Sequence, residues 1–206
     1  MSRPSTTQSS LRASTGVDVT PMLQATNAHR FHPGAAPADS GPEVLFVGST
    51  RGEYRPAVRA CIEGGVDLTL YGVGWSQYLP EARIAGEFLA NEQLPAAYAA
   101  AHVVLNDHWP DMAAEGFLSN RLFDSVATAT RVLSDDARGL HEVFGPMVRT
   151  FDRPDDIPAL LALDLDVNFA DRTSRLEAAK IIARDHSFDA RAAELIDRAR
   201  SLRSQR

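Results

Sequence analysis

The chain is almost without cysteine. Among 206 residues only Cys61 is present, so no disulfide can close within one chain and nothing points to an oxidising compartment. Cys61 falls between Val58 and Ile62 in a helix-like pattern, where a buried structural thiol is the plain reading. Long apolar runs are also missing. None approaches the roughly 18 residues of a membrane span, and the amino terminus lacks the apolar core of a signal peptide. No membrane span and a cytoplasmic location are therefore expected. Positive charge is in short supply: 21 Lys and Arg stand against 27 Asp and Glu, a net charge of -6. That argues against a nucleic-acid partner but leaves room for a phosphate site built from a few local arginines.

Several motifs are absent as well. There is no GxGxxG and no Walker A loop, so dinucleotide and P-loop readings lose support. There is no GxSxG elbow, and no His/Cys/Asp set has metal-ligand spacing on one element. No cofactor is expected. Residues 1 to 42 lack apolar periodicity and are rich in Ser, Thr, Pro, Ala and Gly, as in Ser5-Thr6-Thr7-Gln8-Ser9-Ser10. Such a stretch buries too little surface to offset its ordering entropy and reads as a disordered tail or linker. A folded piece around Val19 to Thr26 is the alternative.

From Glu43 the character changes. Val44-Leu45-Phe46-Val47 is a continuous apolar run ended by Gly48, the mark of a strand buried on both faces. A helical pattern follows from Glu53 to Glu63, stopped by Gly64-Gly65. Val66 to Tyr71 reads as a second strand, completing a βαβ unit. Arg83 to Leu89 suggests a short strand and Glu92 to Ala101 a helix. Further strands are expected at 102–106, 131–134 and 147–151, with helices at 120–128, 140–144 and 154–163. Two charged helices, 170–184 and 187–202, close the chain. This alternation predicts, for residues 43–206, a doubly wound, mainly parallel Rossmann-like α/β sheet with helices on both faces. In such sheets ligands bind at the carboxyl ends of the strands.

Four loops are placed there. Gly48-Ser49-Thr50-Arg51-Gly52 joins a strand to a helix; its glycines permit close backbone approach, and Arg51 with Arg55 suits a diphosphate. A solvent-exposed turn with surface arginines fits equally. Gly72, Gly74 and Trp75 could frame a base, or form a tight turn with a packed Trp. The richest stretch runs from Asn106 through His108 and Trp109 to Glu115, Asn120, Arg121 and Asp124. Arg121 suits a phosphate or a salt bridge. Asp124 suits two ribose hydroxyls or favours a helix dipole. His108 and Glu115 are candidates for proton transfer or sugar contact, although a lone loop histidine is more often structural. The fourth loop follows Ser134.

Taken together, Phe46-Val47-Gly48-Ser49, Leu70-Tyr71-Gly72-Val73-Gly74-Trp75, Val104-Leu105-Asn106, Ser119-Asn120-Arg121-Leu122-Phe123-Asp124, Leu133-Ser134-Asp135-Asp136 and His186-Ser187 with Arg191 resemble a known family. From Val44 to about Leu202 the chain is similar to the nucleotide-sugar-binding C-terminal domain of GT-B glycosyltransferases, in the spore-protein (CgeB-like) branch of glycosyl transferases group 1. The resemblance implies a donor-binding half that passes a sugar from a nucleotide diphosphate sugar to an acceptor. It puts Asp124 where the family holds the donor ribose with an acid, usually Glu. Glu115 stands nine residues before Asp124, where the retaining relatives' Glu-x7-Glu motif has eight. The family's Ala-Cys-Gly after the acid is Ala127-Thr128-Ala129-Thr130 here. The resemblance also implies a second, acceptor-binding domain or partner chain, which residues 1–42 cannot supply. A non-catalytic nucleotide-sugar-binding or interaction module is the alternative function.

Overall fold

The structure is a computed structural model that describes residues 16, 20–35 and 41–204. Five strands, β1 (Val44–Val47), β2 (Leu68–Tyr71), β3 (Val103–Asn106), β4 (Arg131–Asp135) and β5 (Val148–Phe151), form one sheet in the order β2-β1-β3-β4-β5. Every neighbouring pair is parallel. The helices are α1 (Pro56–Glu63), α2 (Leu94–Ala100), α3 (Pro110–Glu115), α4 (Asn120–Ala127), α5 (Leu140–Phe144), α6 (Ile157–Ala162), α7 (Leu165–Asn168), α8 (Arg172–Asp185) and α9 (Phe188–Ser204).

The apolar runs are continuous because both faces of the sheet are covered. Alternate strand residues serve opposite faces. Val44, Phe46, Val103 and Leu105 pack with Ala57, Val58 and Cys61 of α1 and with Ile157 of α6. Leu45, Val104 and Val132 pack with Leu122, Phe123 and Val126 of α4 and Ile182 of α8. The β1-to-β2 connection therefore lies on one face and the β3-to-β4 connection on the other. Strand order reverses between β1 and β3, and the crevice at their carboxyl ends is the expected ligand position in this topology. Cys61 is fully buried, and burial pushes its thiol up to about 12.

Four details depart from the sequence reading. The expected strand at 83–89 is reduced to one bridge between Tyr71 and Gly86 along the β2 edge, because a 3-10 turn, Glu81–Arg83, uses its first residues. The stretch after β3, read as loop, contains α3, with Pro110 in its first turn and Gly116 at φ 71 closing it. Residues 20–35, inside the expected tail, are packed: Thr26 bridges Ser187, and Ala25, Thr26 and Phe31 are buried. Burial of Phe31 against Tyr98 of α2, ring centroids 6.0 Å apart, supplies the apolar anchor that composition did not advertise. The remainder of residues 1–42, apart from 16, 41 and 42, lies outside the described residues. Last, α9 has no buried position among its described side chains: Leu195, Ile196 and Leu202 are all exposed. Among the described residues no helix is long and apolar enough to cross a membrane.

Candidate functional site

The loops after β1 and β2 lock onto each other before either can meet a ligand. Gly48 N–H donates to the Tyr71 carbonyl at 2.8 Å and Thr50 N–H to the Val73 carbonyl at 3.2 Å. Trp75 Nε1 donates to the Gly48 carbonyl at 2.8 Å. A Cβ at Gly72 would stand 2.1 Å from that same carbonyl oxygen, so only glycine fits there. These contacts correct the expectation for Trp75. The ring is 1% exposed and meets Phe46 edge-on, centroids 6.0 Å apart. It is core, with no face open to a base. Arg51 stays exposed at the tip of the first loop, at φ 51, with its guanidinium 5.4 Å from the Trp109 ring centroid.

Arg55 takes a different path. It is buried, donates from Nε to Asp107 Oδ2 at 2.9 Å, and pairs from its terminal nitrogen with Asp107 Oδ1 and with the Asp107 carbonyl at 3.1 Å. The other face of its guanidinium lies 4.0 Å from the Trp109 ring centroid. Burial pushes the Asp107 carboxyl up, and Arg55 opposes that. A bidentate pair this dry is costly to open, because either partner would be left as an uncompensated buried charge. The expected diphosphate contact at Arg55 is therefore corrected to a brace that ties the start of α1 to the loop after β3.

Asn106 is likewise internal. It is fully buried, donates from Nδ2 to Ser134 Oγ at 2.8 Å, and accepts from Arg121 at 3.0 Å. It orients Arg121 instead of touching a ligand. His108 is satisfied at both ring nitrogens. Nδ1 lies 2.7 Å from Asp135 Oδ1, and Nε2 accepts the Ser119 amide at 3.1 Å. With Nδ1–H donating to the carboxylate, Nε2 is an acceptor already in use. The His108 amide also donates to both Asp135 oxygens at 3.0 Å. This ring staples β3, β4 and the start of α4 through both of its nitrogens. Glu115 is on the exposed side of α3, with an interaction partner of its own.

What stays accessible gathers around α4. Ser119 makes no side-chain cap there. Arg121 is half-buried and reaches back over the crevice. Its guanidinium donates to Asn106 Oδ1 and, at 2.5 Å, to the Val47 carbonyl, and lies 4.6 Å from the Phe46 ring centroid. A Cβ at Gly48 would stand 2.7 Å from its terminal nitrogen. All these partners are neutral, and among the described residues no carboxylate pairs with it within 4.0 Å. One turn on, Asp124 is 9% exposed. It accepts from Asn120 Nδ2 at 2.8 Å on one oxygen and from Thr26 Oγ1 at 2.7 Å on the other. Burial pushes its carboxyl up to about 6. Ser49, Arg51, Gly74, Asn120 and Arg121 thus remain at least partly open. An unneutralised guanidinium beside a buried carboxylate can take an anion and a diol in one ligand. Thr26, Asp107 and Asp135 were missed as site residues. Asp135 ends β4 in a place the topology marks, while nothing in a Ser/Thr-rich stretch singles out Thr26. Among the described residues no group of three His, Cys, Asp or Glu could hold a metal. A groove of about 420 Å³ between Val126, Phe144 and Ile181 lies near the amino end of β5, away from these residues.

Comparison with known proteins agrees with the fold. Residues 53–197 match the family model described as glycosyl transferase-like. No curated protein matches the chain. Among solved structures, the sucrose-phosphate synthase tll1590 from Thermosynechococcus elongatus is 18% identical with a TM-score of 0.65, over 98% of this chain and 58% of that one. AviGT4, a glycosyltransferase involved in avilamycin A biosynthesis, is 18% identical with a TM-score of 0.62, over 95% and 61%. The pneumococcal O-GlcNAc transferase GtfA, solved with UDP and GlcNAc, is 15% identical with a TM-score of 0.57, over 85% and 39%. The chain spans about three-fifths or less of these relatives.

Proposed function

The chain belongs to the glycosyl transferase-like family, and on that premise we propose that it binds a nucleotide diphosphate sugar as the donor half of a GT-B glycosyltransferase. The observation that carries this is that one helix, α4, bears both Arg121, which reaches the β1/β3 crevice, and Asp124 one turn on. The hydrogen-bond partners of Arg121 are neutral, Asp107 acts on it without a direct contact, and a diphosphate is a suitable complement. Asp124 lies within reach of the same ligand and suits the two ribose hydroxyls. Arg51, exposed above the crevice, adds a second cation. In sugar transfer the diphosphate leaves with growing negative charge, and Arg121 and Arg51 are placed to stabilise it electrostatically. The resemblance of Ser119 to Asp124 and of His186-Ser187 places the chain, in our reading, in the spore-protein (CgeB-like) branch.

An acceptor-binding domain or partner chain completes the enzyme in this reading. Two facts support it. The chain spans about three-fifths or less of its solved relatives, and α9 carries exposed Leu195, Ile196 and Leu202. The alternative is a binding module without transferase activity. It is favoured by His108, whose ring nitrogens are both engaged. Incubation with UDP- and GDP-sugars decides between them. Slow release of free sugar, at least tenfold above buffer and lost in Arg121→Ala, supports the transferase half. Tight nucleotide-sugar binding with no release above buffer supports the module.

A further inference from the structure

The most unusual contact lies outside the residues that match the family model. Thr26 is fully buried, and its hydroxyl donates to Asp124 Oδ1 at 2.7 Å across 98 positions of sequence. Its backbone leaves it little freedom. Thr26 N–H donates to the His186 carbonyl at 2.9 Å, and Phe188 N–H donates to the Thr26 carbonyl at 3.0 Å. On one side of it, Arg191 Nε donates to the Leu23 carbonyl at 3.0 Å. On the other, Phe31 is buried against Tyr98 and Arg30 bonds the Asn91 carbonyl. Residues 20–35 thus form a strap fastened to the α8–α9 junction and to the α2 region, with one hydroxyl delivered to one carboxylate.

The acceptor geometry gives the contact its meaning. A carboxylate has about four lone-pair sites, two per oxygen. Thr26 uses one on Oδ1 and Asn120 one on Oδ2. One site remains on each oxygen, which is the arrangement that a vicinal diol fills with two donated hydrogen bonds. A carboxylic acid could not accept both, since one oxygen would carry the proton. We propose that the strap is part of the donor site, with Thr26 as the positioning residue that holds the Asp124 carboxylate for the two ribose hydroxyls. The role rests on the donor-site reading given above.

The surroundings make Thr26 decisive for the charge state. Arg30 on the strap acts on Asp124 from a distance and favours its ionised form. Tyr98 of α2 lies near it, with Arg121 beyond. From the α8 side come apolar Ile182 and, at the junction, the His186 ring against Phe123, centroids 5.7 Å apart. Among the described residues no cation pairs with Asp124 directly, so its two hydrogen-bond donors oppose the burial that drives it neutral. Removing the Thr26 hydroxyl should raise the carboxyl further.

Binding of UDP and of GDP is measured by calorimetry from pH 5 to 8.5 on the full chain, wild type, Thr26→Val and Thr26→Ser. A shift of about one pH unit on losing this bond predicts for Thr26→Val about fivefold weaker binding at pH 6 and less than twofold at pH 8.5. The diphosphate's own titration is common to all three proteins and cancels. Thr26→Ser keeps the hydroxyl and should track the wild type. Carbon-13 NMR of the Asp124 carboxyl, without nucleotide, should show the midpoint rising in Thr26→Val and staying in Thr26→Ser; it also decides the hydrogen bond's role where Val loosens the strap. Nucleotide binding with an unchanged pH profile, or weakened equally at all pH values, would overturn the role of Thr26 alone. Failure of the wild type to bind either nucleotide would overturn the donor-site reading, whatever the carboxyl titration shows.

Discussion

Asp124 holds its proton more tightly in the folded chain than in the unfolded one, because burial pushes the carboxyl from 3.8 to about 6. The sign of the consequence is fixed by linkage. Between those values the folded state binds more protons, so stability is fully present below 3.8 and falls as pH rises through about 6. The loss amounts to about 3 kcal/mol by neutral pH. Asp124→Asn cannot ionise and escapes it. Urea denaturation at pH 4.5 and 7.5 should show the variant gaining about 2 kcal/mol on the wild type between the two, while its nucleotide affinity falls. A carboxylate kept only for packing would show no such exchange of stability for binding. This scale is where sequence reading succeeded least evenly. Arg121 and Asp124 were singled out by the position of Arg121 in the first turn of a helix and by a resemblance, and the structure shows both on α4. Arg55, Asn106 and Trp75 proved to be internal, because their partners, Asp107, Ser134 and Gly48, lie on other parts of the chain and cannot be read from spacing.

The elements owe their placement to a few side chains that join them. His108 ties β3 to Asp135 and to the Ser119 amide that opens α4. Helices begin with amides that lack intrahelical acceptors, and here an imidazole nitrogen serves one of them. His108→Ala should release that amide. Hydrogen exchange at Ser119 should speed up by about tenfold or more, with amides in β1 little changed. Unaltered exchange at Ser119 would remove the staple. Most elements were visible in the sequence through apolar runs and helical periods. α3 was not, since six residues are too few to show a period, although Pro110 and Gly116 bracket it. The strand at 83–89 failed for the converse reason: a short apolar pattern beside a sheet edge does not require pairing. The packed strap at 20–35 depends on single buried residues, Thr26 and Phe31, whose partners lie far along the chain.

For the whole molecule, the parallel sheet of order β2-β1-β3-β4-β5 puts one reversal of strand order at β1 and β3. The accessible cation and the buried carboxylate flank that point. Alternation of strands and helices was enough to foresee this class of fold. Which residues face the crevice was settled only by packing. The central claim is that this crevice holds a nucleoside diphosphate through Arg121. Titration of UDP and GDP into the wild type and Arg121→Ala, at pH 7.5 with the folded state checked by circular dichroism, tests it most directly. At least one nucleotide should bind the wild type, and the variant should bind it tenfold or more weakly, a difference of about 1.4 kcal/mol or greater. A folded wild type that binds neither nucleotide, or a variant with undiminished affinity, would contradict it.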